Sequence, residues 1–465
     1  MSPQPSRTGE PPVQSRGEPR ELTLAVGAPA HGGHCVARPV NDPGGRVIFV
    51  RHALPGETVR ARLTEMTSRT WRADAVEILQ ASPDRVASVW PDAGPAGVGG
   101  GELAHVALDA QRTWKRWVLA DCLRRIGGQE VADAVASLPE ASGAAAVPIE
   151  PMPTDAAAQA STSARRRALA GTATRTRISL TVSEDGRPGM HAFRSGTVLP
   201  LRRLPLAVPT ITEIGLLERS RWRAHYRPGM RIEAIAPSGS EPVVLLDERL
   251  LTAQARSTGR RRVREVVDAS ALGLGELTYS VHAEGFWQVH VDAPRLLVER
   301  VVRGALGENL ERATGRRVLE LYSGAGLFTL PLAALVGDSG QVLSLEGSEQ
   351  AVRDARRTLH DHPAARLASG RVSARSVREL AGSFTGGRPD VVVLDPPRQG
   401  AGREVIEAVG ALGPERIVLV ACDPAALARD LGTLLRAGYG LGSMSALDMF
   451  PHTHHFETIA VLERS

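Results

Sequence analysis

The second half of the chain, from about residue 290, alternates continuous apolar runs with helical segments. Uninterrupted apolar strands are typical of parallel sheets that helices cover on both faces. Residues 289–465 are therefore predicted to form a doubly wound, Rossmann-like α/β domain. Each apolar run stops at a glycine, a proline or an acidic residue, as in RRVLELYSGAG, GQVLSLEGS, DVVVLDPPRQG and RIVLVACDP.

The first two of these runs end in a pattern that suits a nucleoside. Glu320 closes the first run and a turn with Gly324 and Gly326 follows, while Glu346 closes the second run. Ligands of such sheets bind at the carboxyl ends of the strands, and glycines let the backbone approach them closely. A carboxylate after the second strand can accept hydrogen bonds from both hydroxyls of a ribose. The pattern resembles the S-adenosylmethionine (SAM) site of class I methyltransferases, although a nucleotide-binding oxidoreductase remains open at this point.

The third run leads into Asp395 and two prolines, which form a rigid loop without backbone N–H donors. Such a loop can hold a flat base beside a methyl donor, as Asp/Asn-Pro-Pro loops do in nucleic-acid and amide methyltransferases. An ordinary proline-rich turn is the alternative. The position directly after a buried strand favours the functional interpretation.

The fourth run ends at Cys422, with Asp423 placed as an N-cap and Pro424 as the first helical residue. A thiolate is favoured near a helix N-terminus. A cysteine after a strand is more often a packing residue, but its place at the same sheet edge indicates a nucleophile. The other cysteines, Cys35 and Cys122, lie far apart, so neither a disulfide framework nor a cysteine-rich metal site is predicted.

The last run follows three histidines in DMFPHTHHFET and starts at Glu457. The histidine spacing lacks the i, i+4 arrangement of helical zinc sites, so no metal site is predicted. Glu457 would begin a strand at the same sheet edge as Cys422. It is a candidate general base.

The first half of the chain divides into three parts. Residues 1–20 are rich in proline, serine, glycine and charge and are predicted to be disordered. Short strand-like runs over 21–81 predict an OB-like β-barrel, and VIFVRHALPGETVRARL resembles the TRAM RNA-binding domain, although a barrel with another partner remains open. Residues 82–288 are predicted to form a middle α+β domain. Its helix, 103–126, should pack on the catalytic domain, and the Ala-rich stretch 130–165 is interpreted as a linker or insertion.

The net charge of +5 comes almost wholly from arginine, since Lys115 is the only lysine. Arginine suits phosphate contact, but the charge alone does not establish nucleic-acid binding. No apolar run reaches the length of a membrane span, and no signal-peptide core follows the start. We expect a cytoplasmic protein without a membrane partner.

Taken together, these motifs and the AEGFWQVH segment resemble the RNA uracil-C5-methyltransferase family, which includes tRNA and 23S rRNA enzymes. The resemblance covers nearly the whole chain beyond residue 20. It implies that Cys422 adds to C6 of uracil, that Glu457 removes the C5 proton and that Asp395 is the motif acid near both cofactor and nucleophile. It also implies SAM as cofactor, with these binding residues: Gln288, Tyr322, Gly324, Gly326, Leu327, Glu346 and Asp395.

The chain departs from the family pattern in four places. Cysteines that hold an iron–sulfur cluster in several members would fall near Asp92, Val98, Gly101 and Leu204. All are absent, so no cluster is predicted. Asp423 stands where the family usually has asparagine, and an anion there opposes thiolate formation. Leu327 replaces a frequent polar residue, and Ser376 replaces an acid that faces the adenine.

The RNA substrate is not fixed by these motifs. We favour 23S rRNA, because the TRAM barrel is more typical of those members, with tRNA as the alternative. A non-catalytic RNA-binding protein is a further alternative, and a monomer is expected.

Overall fold

The computed structural model describes residues 20–464, so the tail predicted to be disordered lies almost wholly outside the described residues. Contacts divide the chain into two compact units. Among the described residues, the first contains 20–30 together with His34–Pro83. The second contains 84–464 and the short turn His31–Gly33.

The first unit is a closed five-stranded barrel, which confirms the predicted barrel. Its strands are β1 (Glu21–Ala30), β2 (His34–Pro39), β3 (Ile48–Arg51), β4 (Thr58–Met66) and β5 (Trp71–Gln80). They close in the order β1-β2-β3-β5-β4. Alternate residues such as Leu24, Val50 and Val59 point inward and are fully buried. Cys35 lies among them as a core thiol.

The second unit contains the remaining strands. In the first part of the unit these are β6 (Ile149–Glu150), β7 (Arg177–Val182), β8 (Pro188–His191), β9 (Val198–Pro200), β10 (Arg231–Ile235), β11 (Val243–Leu246), β12 (Arg249–Thr252), β13 (Arg262–Asp268) and β14 (Glu276–His282). In the second part they are β15 (Arg317–Leu321), β16 (Gln341–Glu346), β17 (Ala365–Ser369), β18 (Val391–Leu394), β19 (Arg416–Ala421), β20 (Tyr439–Leu447) and β21 (Glu457–Arg464).

Twelve α-helices lie among the described residues of this unit. They are α1 (Leu108–Cys122), α2 (Gln129–Ala136), α3 (Pro153–Gln159), α4 (Ala164–Ala168), α5 (Pro209–Thr212), α6 (Ser220–Arg223), α7 (Ala293–Leu306), α8 (Thr329–Val336), α9 (Glu349–Thr358), α10 (Ala374–Ala381), α11 (Arg403–Leu412) and α12 (Pro424–Arg436). None of the described helices is both long and apolar enough to cross a lipid bilayer.

The strands form two large sheets and a hairpin. Six antiparallel strands follow the order β12-β11-β10-β7-β8-β9, and β13 pairs with β14. Eight strands follow the order β17-β16-β15-β18-β19-β21-β20-β6, and the first five are parallel. This second sheet is the predicted Rossmann-like sheet. The apolar cluster that covers this sheet also includes residues of the β13–β14 hairpin. The two-residue strand β6 pairs with β20 and forms the last strand of the sheet.

Two predictions about the segment before this sheet are wrong in detail. The helix predicted over 103–126 begins only at Leu108, because the Leu103 N–H donates to His452 O and residues 103–106 form a buried loop. It ends in a π turn, Leu123–Gly127, and it does pack on α12. The Ala-rich stretch is not a linker, because α2 buries Val131 and Val135 and also contacts α12, while its interpretation as an insertion stays a prediction.

Candidate active site

The order of the strands places the predicted site residues along one edge of the eight-stranded sheet. Leu321 of β15 pairs with Leu345 of β16 on one side and with Leu394 of β18 on the other. On β19, Ala421 lies opposite Thr458 of antiparallel β21. The residues that follow or begin these strands therefore share the edge: Tyr322, Glu346, Asp395, Cys422 and Glu457.

The turn after β15 has a backbone that is unusual for side chains other than glycine. Tyr322 has φ of 64°, Gly324 of 54° and Gly326 of 88°. The Tyr322 N–H donates to Leu345 O at 2.8 Å, and the Gly324 N–H donates to the Glu346 carboxylate at 2.9 Å. A non-glycine residue with positive φ is uncommon and clusters at functional sites. The turn therefore has a strained backbone at Tyr322, and its hydrogen bonds to Leu345 and Glu346 of the neighbouring strand stabilise it.

This turn fits an adenosyl cofactor. A Cβ atom at Gly324 would meet no other atom within 4 Å, so the backbone faces open space there. Each oxygen of the partly exposed Glu346 carboxylate accepts one backbone hydrogen bond, the second from the Ser348 N–H at 2.7 Å. The remaining lone pairs are free to accept from ribose hydroxyls. Glu346 and this turn are the residues that would hold the nucleoside.

Leu327 and Gln288, two further predicted cofactor residues, lie near the turn in different ways. The Leu327 side chain is buried in the apolar cluster, and its carbonyl accepts the Tyr279 hydroxyl at 2.9 Å. Tyr279 packs on Trp287, with ring centroids 5.1 Å apart, and Gln288 follows Trp287. The structure brings Gln288 to this region through that aromatic pair. A role of either side chain in binding SAM stays a prediction.

Glu320, near the end of β15, is enclosed by other residues and does not face open space. It is buried and accepts hydrogen bonds from Thr329 at 2.5 Å and Ser344 at 2.8 Å. Burial raises the pKa of Glu320 to about 7, against the effect of these two donors. Its second oxygen has no partner among the described residues. Through these two hydrogen bonds, the Glu320 carboxyl group stabilises the structure beneath the turn.

Asp395, Cys422 and Glu457 influence one another electrostatically. Burial, then the charge of Glu346, raises the pKa of Asp395 to about 7. Burial and the charge of Asp395 raise the pKa of Glu457 well above its ordinary value, and Arg398 opposes this. The structure therefore joins the three predicted catalytic residues in one cluster with Arg398 at its side.

The thiol of Cys422 is protonated at neutral pH in this state. Burial raises its pKa to about 12, followed by the charges of Glu457 and Asp395, and Arg398 offsets only part of the rise. The helix N-terminus was expected to favour a thiolate, and that expectation is wrong for the free protein. Loss of water and two carboxyl groups outweigh the helix.

The histidines before Glu457 have partners within the protein. The Gln111 side-chain amide lies with Nε2 3.1 Å from Nδ1 of the His452 ring, and His454 Nδ1 lies 3.7 Å from Glu102. Burial, then the charges of His454 and Arg398, lowers the pKa of His455 to about 3. Among residues 20–464 no group of three metal-ligand side chains is assembled.

The region that would correspond to an iron–sulfur cluster does not fit one. Asp92, Val98, Gly101 and Leu204 supply no thiolate. Val98 is buried in an apolar cluster with Trp90 and Ala93, and Leu204 packs against it. A Cβ atom at Gly101 would lie 2.6 Å from Ala93 Cβ and 2.9 Å from the Trp90 ring, so even alanine would clash. Apolar packing fills this volume.

The two other departures have structural roles. Asp423 caps α12, because its side chain accepts the Ala426 N–H at 2.8 Å. Ser376 forms a capping box with Ser373 at the start of α10, and the Ser373 N–H donates to Ser376 Oγ at 2.9 Å. Both side chains thus satisfy backbone groups at helix starts.

Sequence reasoning missed two residues near the site. Phe286, two residues before Gln288, is 74% exposed although it is a large apolar side chain. Its signal was available, since two aromatic residues adjoin in AEGFWQVH. Lys115 of α1 donates to Asp448 and to Phe450 O, at the start of the loop that leads to Glu457. The sequence signal for Lys115 was that it is the only lysine in an arginine-rich chain.

Comparisons with known proteins identify the families that the two parts of the chain resemble. The tRNA (uracil-5-)-methyltransferase family model matches residues 276–465, and the TRAM domain model matches residues 18–76. A chain of Streptomyces avermitilis named as an RNA methyltransferase is 39% identical over 95% of this chain and 98% of its own. The 23S rRNA (uracil(1939)-C(5))-methyltransferase RlmD of Shewanella denitrificans is 29% identical over 90% of this chain and 92% of its own.

A solved structure shares the fold. It is the tRNA (uracil-54, C5)-methyltransferase of Pyrococcus abyssi in complex with S-adenosyl-L-homocysteine. Its TM-score is 0.63 at 20% identity, over 94% of this chain and 99% of that one. The fold is thus that of a SAM-dependent methyltransferase.

Proposed function

Because this chain belongs to the tRNA (uracil-5-)-methyltransferase family, we propose that it methylates C5 of a uridine in 23S rRNA through a covalent bond between Cys422 and the base. The observation that carries the proposal is the register of β19 and β21. Ala421 lies opposite Thr458, so Cys422 and Glu457 flank one point of the sheet edge. A nucleophile and a base on either side of one site can act on adjacent atoms of one ring.

The nucleophile is needed because C5 of uracil is a poor nucleophile by itself. Cys422 loses its proton to water, and Sγ bonds to C6 while the electron pair of the C5–C6 double bond moves towards C5. C5 then bonds to the methyl group, whose bond to the donor sulfur breaks, and the electron pair of that bond stays on the departing thioether. The raised pKa of Cys422 in the free protein means that only a small fraction of the thiol is ionised at neutral pH, and this fraction is the nucleophile.

The second half of the reaction falls to Glu457. Its carboxylate removes the proton from C5, the C5–C6 double bond forms again, and the Cys422 sulfur leaves C6 as a thiolate. Glu457 is buried and one of its oxygens has no hydrogen-bond partner among the described residues. A buried carboxyl oxygen without a hydrogen-bond partner is available to accept a proton from a nucleobase that is bound beside it.

SAM, when bound, supplies an electrophilic methyl group on a positively charged sulfur. Glu346 and the Tyr322–Gly326 turn would hold its nucleoside, as their open geometry allows. Asp395 lies between this half of the edge and Cys422, because β18 separates β15 from β19. The Asp395 carboxyl would orient the groups that meet there.

The choice of 23S rRNA rests on the barrel at the start of the chain and on the relatives named as 23S rRNA enzymes. The solved structure with the same fold is named as a tRNA enzyme, so tRNA is the competing substrate. Transcripts of both kinds from the source organism should be offered to the same enzyme preparation. Incorporation of methyl groups into tRNA and not into 23S rRNA would overturn the assignment.

Trapping with 5-fluorouridine tests the covalent mechanism. Fluorine at C5 cannot leave as a proton, so the enzyme and RNA should remain linked in a SAM-dependent adduct that survives denaturation. Cys422→Ala should abolish the adduct. Cys122→Ala is the matched control, because Cys122 is a buried thiol of α1 and does not stand at a strand end of the sheet edge, and this variant should still be trapped. A linked Cys422→Ala protein would contradict the proposal.

A further inference from the structure

Asp423, the residue after Cys422, has a different partner on each carboxylate oxygen. One oxygen accepts the Ala426 N–H at 2.8 Å and caps α12. The other lies 2.9 Å from Nε2 of His31. His31 belongs to the turn His31–Gly33, which groups by its contacts with the second unit. The two residues are 392 positions apart in the chain.

The imidazole is the donor in this pair. Burial would raise the pKa of Asp423, but the hydrogen bonds from His31 and from the Ala426 N–H lower it overall, so the group is a carboxylate. The hydrogen bond to Asp423 raises the pKa of His31. A raised histidine pKa means that the charged pair is present at low pH and is lost as the pH rises through that value.

A negative charge on Asp423 would oppose the ionisation of Cys422 unless a cation neutralises it. Cys422 must become a thiolate, and Glu457 and Asp395 already oppose its ionisation. A third negative charge on the adjacent residue would oppose it further. We propose that His31 is a positioning residue for Cys422, which neutralises Asp423 by donating Nε2–H to it and so keeps the nucleophile able to ionise. This inference rests on the proposed role of Cys422 as nucleophile.

Other charged or titratable groups face this pair, and none replaces His31. They are His454 and His455 of the loop before β21, Glu102, Arg398 of the Asp395 loop, Cys122 of α1 and Arg429 of α12. His454 is engaged with Glu102, and the low pKa of His455 leaves it neutral. Of the side chains in residues 20–464, His31 alone is recorded in an ion pair with Asp423.

The test measures the reactivity of Cys422 itself. Iodoacetamide reacts with thiolates, and the labelled peptide can be quantified by mass spectrometry in the full chain. Cys422 is the only cysteine that is partly exposed, while Cys35 and Cys122 are buried and report unfolding. Four proteins are compared: the wild type, His31→Ala, Asp423→Asn and the double variant.

His31→Ala should slow the alkylation of Cys422 about threefold at pH 6.5, as expected if the thiol pKa rises by about 0.5. The difference should disappear by pH 9, where the imidazole has lost its charge in the wild type. In the Asp423→Asn background, which keeps a good helix cap, the same substitution should change nothing. Equal slowing in both backgrounds, or slowing that persists at pH 9, would overturn the proposal.

His31→Gln separates charge from hydrogen bonding, because glutamine donates without a positive charge. It should behave as His31→Ala does at pH 6.5, and a wild-type rate would refute neutralisation. Alkylation needs no RNA, so this result is independent of the proposed function. If the alkylation pattern is found but 5-fluorouridine RNA forms no adduct, the role of His31 stands and the proposed reaction fails.

Discussion

The ammonium group of Lys115, the only lysine in the chain, lies against the carboxylate of Asp448 in the interior of the second unit. Lys115 is 0% exposed, and it also donates to Phe450 O at 3.1 Å. Burial lowers the pKa of Lys115, and the charge of Asp448 opposes that change. The pair ties α1 to the loop that ends at Glu457.

Lys115→Met should therefore destabilise the protein strongly. Removal of the ammonium leaves the Asp448 carboxylate buried without a counterion, which costs about 3–5 kcal/mol. Urea denaturation followed by circular dichroism measures the loss. Replacing both partners with apolar residues, Lys115→Met with Asp448→Leu, should recover most of it, since no charge is then left unpaired.

An exposed pair between the end of α1 and the π turn that follows it is the control for this prediction. Arg125 lies 2.7 Å from Asp121, and both side chains are exposed. Arg125→Ala should cost less than about 1 kcal/mol, because water screens such pairs. A Lys115→Met protein as stable as Arg125→Ala would show that the buried pair does not hold the loop.

Glu457→Gln should stop the reaction after methyl transfer. Glutamine has nearly the same shape but cannot take the C5 proton, so the bond between Cys422 and the methylated base should persist on ordinary RNA. Denaturing gels with radiolabelled SAM would show label and RNA on the protein. Glu463→Gln, at the exposed far end of β21, should turn over normally. Free 5-methyluridine from Glu457→Gln at the wild-type rate would assign the base elsewhere.

The rate of methylation should increase with pH between about 6 and 9. The pKa of Asp395 is raised to about 7, that of Cys422 to about 12 and that of Glu457 well above its ordinary value. Each group holds its proton at lower pH, whereas the reactive forms are the thiolate and carboxylates. Single-turnover rates on one RNA across this range provide the measurement. A rate that falls with pH would mean that a protonated group is limiting.

Gly324→Ala should weaken SAM binding. Gly324 has φ of 54°, where a side chain costs roughly 1–2 kcal/mol, and its N–H holds Glu346 in place. We expect the dissociation constant to rise about fivefold or more in calorimetric titration. Gly337→Ala is matched in φ, which is 63°, and in the open space around the glycine, but Gly337 caps α8 away from the edge. It should lose stability and keep its affinity for SAM.

Phe286→Ala should weaken RNA binding without loss of stability. Phe286 is exposed two residues before Gln288, and an exposed aromatic ring can be a platform on which a base stacks, worth about 1–3 kcal/mol. Fluorescence anisotropy with a labelled RNA should show about tenfold weaker binding, and Phe286→Trp should restore it. Trp117→Ala is the control, because Trp117 is 52% exposed on α1. Equal effects of the two alanine variants would indicate a non-specific contribution.

The sheet and its functional edge were predictable because their signals are local. An apolar run records burial on both faces of a strand, and the residue that ends the run stands at the edge. Tyr322, Asp395 and Cys422 follow this rule, and Glu457 reaches the same edge because it begins an antiparallel strand. To predict this edge, only the position of each residue relative to the end of its strand was needed, and the distances between the residues were not.

The protonation of Cys422 was not predictable in the same way. The helix N-terminus that favours a thiolate is visible in the sequence, whereas the opposing charges of Asp395 and Glu457 depend on the pairing of β18, β19 and β21. The partner of Asp423 and the buried loop before α1 also depend on distant segments. Contacts of this kind leave no periodic pattern in either segment.

The hydrogen bonds between Gln111 and His452 join positions 341 residues apart. At a synthesis rate of about 5–20 residues per second, the helix that carries Gln111 waits on the order of 20–70 s for its partner to leave the ribosome. Until then the buried face of α1 and the edge of β19 are exposed to water and chaperones. Because β21 begins at Glu457 and pairs with β19, this edge of the sheet is complete only after β21 has been synthesised.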